Sequence, residues 1–302
     1  MNILITGGTG FIGQTLCPYL EKLGHSIYVL TRNIKNAKKK LPPTINLVDK
    51  LSEQLLFKMD AVINLAGAPI GKRWTTDYKQ EIIASRLNIT EKLIHLLDTM
   101  DKKPLVFISG SAIGYYGPQS DVPLTEDATS VASFSHELCS TWENAAQKAA
   151  LMGMRTCLIR TGLILGKSGG VLTPIRRQFM FGLGGQIGSG TQWMSWCHIE
   201  DYIRIIALCL SDQRVQGPIN ATSPHPVTNH EFSQTLAKAL HRPCWFNMPS
   251  FVVKLLFGQM GYELLLSGQR VIPKKLLGLG FSFQYPRLMD ALMQIEQAQR
   301  PQ

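Results

Sequence analysis

The chain has 302 residues, 45% of them apolar and 17% charged, with a net charge of +10. That composition excludes a disordered or fibrous chain and suffices for one large α/β domain, or for one domain plus a smaller lobe. Six cysteines, no two closer than twelve residues, exclude a CxxC metal site and a disulfide-stapled scaffold, and no apolar run approaches the ~20 residues that span a bilayer. With no basic, apolar leader at the start, a cytoplasmic protein without membrane contact is expected. The dense basic run at 35–40 lacks the interleaved aromatics that stack on bases, which argues against nucleic acid and leaves a small anionic ligand as the partner of the positive charge.

Strand-like runs at 2–6, 26–31, 45–48, 61–66, 105–109 and 156–165 alternate with helical patterns. The first helix, 11–23, puts Ile12, Leu16, Leu20 and Leu23 on one face and ends at Gly24, with a bend expected at Pro18. A helix over 75–100 carries the stripe Ile82, Ile83, Leu87, Leu93, Ile94 and Leu97, and a third covers 134–152. After Leu165 eight glycines crowd 166–190, and further helices are predicted near 199–211, 228–240 and 287–297. Strand and helix alternation predicts an α/β fold, a Rossmann-type doubly wound parallel sheet over 1–165 with 192–225 returning to it. Residues 166–191 and 226–302 are expected to form a smaller C-terminal substrate lobe.

Between the first strand and first helix stands Gly7-Gly8-Thr9-Gly10-Phe11-Ile12-Gly13. Gly7 permits a tight turn, Gly10 lets backbone approach a pyrophosphate, and Gly13 allows helix and strand to pack closely. The helix N-terminus then offers free N–H groups to phosphate oxygens. At the end of the second strand, where an acidic residue would bind a ribose 2′-hydroxyl, the chain has Thr31-Arg32. Arginine suits a 2′-phosphate, which favours NADP(H) over NAD(H), with Lys35 and Lys38 adding field.

These residues resemble the extended short-chain dehydrogenase/reductase superfamily, and the similarity continues through Asn64-Leu65-Ala66-Gly67, Asn88 and Ser109-Gly110-Ser111. Gly71-Lys72-Arg73-Trp74, the run from Ser111 through Tyr115-Tyr116-Gly117, Trp196-Cys197-His198-Ile199 and the tail near Gly278 are similar to the epimerase-family proteins of its atypical class. The resemblance implies that Gly7, Thr9, Gly10, Phe11, Ile12, Gly13, Arg32, Leu65, Ala66, Gly67, Asn88 and Ser109 line the cofactor. It also implies a Tyr-x-x-x-Lys pair on the helix after the serine strand. In the register set by Glu143, those positions hold Ser135 and Cys139, and neither supplies a phenol or a cation.

Two readings follow. One is an oxidoreductase or epimerase-like enzyme with a relocated acid/base, for which Tyr115 and Tyr116 beside Ser111 are the candidates, with Lys72, Arg73 and Arg160 placed to hold an anionic small-molecule substrate. The other is a non-catalytic NADP(H)-binding sensor. No metal is expected, His198 and Asp201 read as structural, and the oligomeric state is left open.

Overall fold

Apolar strands buried on both faces are what a parallel sheet covered by crossover helices requires. A computed structural model describes residues 1–298. Seven strands form one sheet: β1 (Asn2–Thr6), β2 (Ser26–Leu30), β3 (Asn46–Val48), β4 (Ala61–Asn64), β5 (Val106–Ala112), β6 (Arg155–Thr161) and β7 (Gly217–Ala221). Their order is β7-β6-β5-β4-β1-β2-β3 and all neighbours are parallel. Strand order reverses between β1 and β4, which opens a crevice at their carboxyl ends.

The main helices are α1 (Phe11–Lys22), α2 (Thr76–Asp98), α3 (Phe134–Leu151), α4 (Leu172–Met180), α5 (Ile199–Ser211), α6 (Asn229–Leu240), α7 (Ser250–Gly261) and α8 (Leu288–Gln297). Ile3 and Ile5 point to the face covered by α1 and α5, through Leu16, Leu20, Tyr202 and Ile206. Leu4 points to the other, covered by α2 and α3 through Leu93, Leu97, Ala146 and Ala149. This alternation is the period of two of a strand, buried on both sides. A separate core of Phe179, Trp196, Phe232, Leu236 and Leu292 joins α4, α6 and α8.

Local chemistry explains where elements stop. Gly24, at φ +85°, lets its own N–H reach the Glu21 carbonyl at 2.9 Å and the His25 N–H reach that of Leu20 at 3.2 Å, closing α1. The helix runs through Pro18, since Gln14, whose carbonyl loses its donor, is exposed to water. The strand expected over 156–165 is broken at Gly162, where any Cβ would lie 2.5 Å from the Ser195 carbonyl oxygen. The chain leaves the main sheet there, and Leu163–Leu165 pairs instead with Trp196–His198. Among the described residues no helix is long and apolar enough to cross a membrane.

His198 and Asp201 hold the return segment in place. Both oxygens of the buried Asp201 carboxylate accept backbone N–H groups, from Gln284 at 2.8 Å and Tyr285 at 2.9 Å. His198 Nδ1 accepts the Glu200 N–H at 3.3 Å while Nε2 donates to Gln294 Oε1 at 3.0 Å, and only a neutral imidazole does both. Burial lowers its pKa, against the opposing pull of Glu200, Gln294 and Asp201. The unfolded chain then takes up the proton first, at about pH 6.5, so this contribution is intact above that pH and is lost as pH falls toward the folded value. His198→Asn, which keeps a capping oxygen, is expected to lose less Tm than the parent on going from about pH 7.5 to about pH 5.5. Equal losses in the two proteins would place the acid sensitivity elsewhere.

Candidate functional site

The glycine turn lies in the crevice between β1 and β4. Gly7 has φ +72°, and a Cβ there would meet the Leu65 carbonyl oxygen at 2.6 Å. A Cβ on Gly13 would fall 2.3 Å from the Gly8 carbonyl oxygen, so the first turn of α1 sits directly on the loop. No side chain caps α1 and its first turn carries no acid. Among the described residues the N–H groups of Phe11, Ile12 and Gly13 have no acceptor, while Gln14 N–H already bonds Gly10. A row of uncommitted donors at a positive helix end fits a pyrophosphate. Thr9 and Ile12 are half-buried beside it, and the Phe11 ring is held against Gly166, Gly169 and Gly170.

Arg32 follows β2 and is exposed, with no hydrogen bond to a described residue, while Asn33 caps the short helix beyond it. Leu65 and Ala66 are half-buried at the end of β4, Gly67 is exposed, and the Ala66 N–H is fixed by Thr6 Oγ1 at 3.2 Å. Asn88 is exposed on α2. One expected cofactor contact is corrected. Ser109 is fully buried and its hydroxyl donates to the Gly110 carbonyl at 3.2 Å, so it has no surface to offer the cleft.

Beyond Gly67 a buried ionic network links β5, α3 and β6. Ser111 Oγ donates to Glu143 Oε1 at 2.6 Å, and Arg160 clamps the same carboxylate with Nε and Nη2, both at 2.9 Å. Arg160 Nη1 also donates to Tyr116 Oη at 3.0 Å and the Glu126 carbonyl at 3.1 Å. Arg160 is 3% exposed and fully committed, so it is a structural cation and cannot hold substrate, contrary to the expectation. Burial alone would lower its pKa, but the hydrogen bonds and charge of Glu143 raise it. Tyr116 is likewise removed from the candidates: it has no exposed surface, its hydroxyl donates to Asn220 at 2.6 Å, and burial pushes its phenol up to about 12.

Tyr115 differs from its neighbour. It is half-buried, its hydroxyl has no partner among the described residues, and the Arg160 guanidinium lies 3.5 Å from its ring centroid. His136 packs edge-on against the same ring, its Nδ1 donating to the Tyr115 carbonyl at 2.5 Å. Lys72 and Arg73 are exposed in the loop after Gly67, with Lys72 Nζ 5.2 Å from the Tyr78 ring centroid.

Ser135 and Cys139 stand one turn apart on α3, Cys139 toward Ser111 and Glu143 and Ser135 toward Glu263. The turn Ile113–Tyr116 is pressed onto them: a Cβ on Gly114 would lie 3.0 Å from Ser135 Cβ and 3.7 Å from Cys139 Sγ. The space between that turn and α3 is closed. Ser135 donates through its hydroxyl at 2.6 Å and its N–H at 2.9 Å to the buried carboxylate of Glu263, which also takes the Phe134 N–H at 3.3 Å. Burial pushes the Cys139 thiol up to about 12, so it is no nucleophile at neutral pH.

Arg86 was not among the expected site residues, yet its guanidinium lies beside Gly67, whose Cβ would come within 3.0 Å of its Cζ. It stands over the Trp142 ring at 5.4 Å. Trp142 is fixed in turn by Thr90, which bonds Trp142 Nε1 at 3.1 Å and Asn64 Nδ2 at 2.8 Å. A signal was present, because Arg86 continues the series Ile82, Thr90, Leu93, Leu97 at helical spacing, and a charge on a buried stripe requires a reason.

A glycine cradle and a bare helix N-terminus at the switch point of a parallel sheet define a dinucleotide-binding protein of the Rossmann type. Residues 3–221 match the NAD dependent epimerase/dehydratase family, and the chain belongs to that family; residues 248–295 match DUF1731, a domain of unknown function. It is 39% identical to the epimerase family protein YfhF of Bacillus subtilis over 98% of both chains. A crystal structure of the human epimerase family protein SDR39U1 with NADPH superposes at TM-score 0.86 with 32% identity, covering 98% of this chain and 99% of that one. A nucleoside-diphosphate sugar epimerase from Corynebacterium glutamicum matches at TM-score 0.79 and 31% identity, over 97% of this chain and 57% of that one. The protein is thus an epimerase-family nucleotide-binding protein of the short-chain dehydrogenase/reductase type.

Proposed function

We propose that the protein binds NADP(H) and moves a hydride between it and a small-molecule substrate, with Tyr115 at the reacting end. The observation that carries the cofactor reading is the pairing of three unpartnered N–H groups on α1 with an uncommitted Arg32 at the end of β2. The human relative with NADPH supports the same choice. Bound there, the nicotinamide supplies or accepts the hydride. Tyr115, whose hydroxyl is uncommitted, exchanges the proton with the substrate oxygen, and the Arg160 guanidinium against its ring stabilises charge developing on the phenol. Ser111, 4% exposed with its own proton fixed on Glu143, has no more surface than Arg160 and acts by holding that carboxylate in the Arg160 clamp. Residues 166–191 and 226–298 close this end as the substrate lobe, 299–302 lying outside the described residues.

The closed space at Ser135 and Cys139 favours the second reading, a sensor that binds NADP(H) without turnover. One experiment addresses both. NADPH and NADH are titrated by fluorescence into the parent and Arg32→Ala, and the NADPH-loaded parent and Tyr115→Phe are offered a panel of carbonyls and sugar nucleotides. Loss of a charge-assisted contact, ~1.5–3 kcal/mol, predicts an NADPH affinity about 10- to 100-fold lower in Arg32→Ala with NADH unchanged. Unchanged NADPH affinity sinks the 2′-phosphate assignment. Turnover lost in Tyr115→Phe supports the enzyme, and tight binding with no turnover on any substrate supports the sensor.

A further inference from the structure

Arg86 is a half-buried cation with no anionic partner among the described residues. Nη1 donates to the Ile82 carbonyl at 3.1 Å and Nη2 to the Ala68 carbonyl at 3.2 Å, with Ser85 Oγ at 3.5 Å. The ionisable groups that face it are a thiol, Cys139, and a phenol, Tyr78. The two buried carboxylates of the site are engaged elsewhere: Glu143 by Arg160 and Ser111, Glu263 by the start of α3 and by Gln259 Nε2 at 2.7 Å. A guanidinium withdrawn from water against neutral dipoles alone is poorly compensated, and an anion is the group that compensates it.

Its shape says which anion. The guanidinium carbon lies 3.0 Å from where a Cβ on Gly67 would stand and 5.4 Å from the centroid of the Trp142 ring. Nε–H and the second Nη2 hydrogen remain without acceptors among the described residues. That edge is the one with which Arg160 grips Glu143 and Arg176 grips Glu296. A planar two-oxygen group matches that edge, and Gly67 beside it is exposed. Lys72 and Arg73 stand exposed in the loop beyond it and draw the same charge.

We propose that Arg86 is a carboxylate receptor, so that the substrate of this cleft is a small carboxylate-bearing carbonyl compound or the matching hydroxy acid. This names the substrate class of the reading above and rests on it. Arg86 binds and orients the carboxylate, leaving the reacting oxygen to Tyr115.

The test is calorimetric titration of the NADP(H)-loaded full chain with sodium oxamate, neutral oxamide and inorganic phosphate, without any turnover. Expected are saturable oxamate binding at least tenfold tighter than oxamide, a loss of about tenfold in Arg86→Lys, and no detectable binding in Arg86→Gln, with NADPH affinity unchanged throughout. Arg86→Lys keeps the charge and loses the two-pronged edge, so it decides the matter even if Arg86→Gln fails to fold. Oxamate bound no better than oxamide overturns the proposal, as do phosphate bound more tightly than oxamate and oxamate binding untouched in Arg86→Lys. NADPH affinity falling with either substitution also overturns it, by giving Arg86 to the cofactor. If the parent fails to bind NADPH, the cofactor reading falls, and oxamate titration of the unloaded chain still judges Arg86.

Discussion

Alanine at position 13 is expected to abolish dinucleotide binding and to destabilise the fold by ~3 kcal/mol. Its Cβ would lie 2.3 Å from the Gly8 carbonyl oxygen and 2.4 Å from Gly8 Cα, and both are backbone atoms that no rotamer change can move. Relief requires the first turn of α1 to lift off the loop, which scatters the N–H groups of Phe11, Ile12 and Gly13. Gly24→Ala is the control: nothing lies within 4 Å of its Cβ, but φ is +85°, so it costs only ~1–2 kcal/mol and leaves the loop intact. Urea denaturation with NADPH titration distinguishes them. A Gly13→Ala protein that binds NADPH like the parent would refute the cradle.

The second large effect is expected at Arg160. Arg160→Met keeps much of the side-chain volume but leaves the Glu143 carboxylate, 6% exposed, with the Ser111 hydroxyl as its remaining partner. Removing one member of a buried pair costs ~3–5 kcal/mol, much of it the charge left behind. The same substitution strips a donor from Tyr116 Oη and the cation from the Tyr115 ring. The double variant Arg160→Met/Glu143→Gln, which takes away the stranded charge and keeps an acceptor for Ser111, is expected to recover a large part of the loss. Chemical denaturation of the cycle measures this coupling. Additive losses in the double variant would mean that the pair contributes nothing as a pair.

The sheet and the phosphate loop were legible because their signals are local. Glycines at 7, 10 and 13 lie within one strand-turn-helix, and the β-branched runs need no distant partner to be read. The place of Arg32 just beyond β2 was legible for the same reason. The ionic network was not, since nothing in the stretch around Arg160 announces a Glu seventeen residues upstream on another element. Tyr115 and Tyr116 are adjacent in sequence, yet one is half-buried with a free hydroxyl and the other is sealed under Asn220 from β7. On α2, Asn88 and Arg86 are two residues apart, about 200° around a helix, so only Arg86 falls on the buried stripe with Ile82 and Thr90. The break at Gly162 was hidden because the obstructing carbonyl belongs to Ser195.

Glu263 closes the N-terminal end of α3 from 128 residues further along the chain. A ribosome that makes the protein from its first residue completes the whole sheet as far as β7, and the helix of the ionic network, before that carboxylate exists. Until then the Ser135 hydroxyl and the opening N–H groups of α3 face solvent, and α7 has not arrived to cover Trp74 and Leu138. The glycine cradle is therefore synthesised in full well before the contact that closes the start of α3.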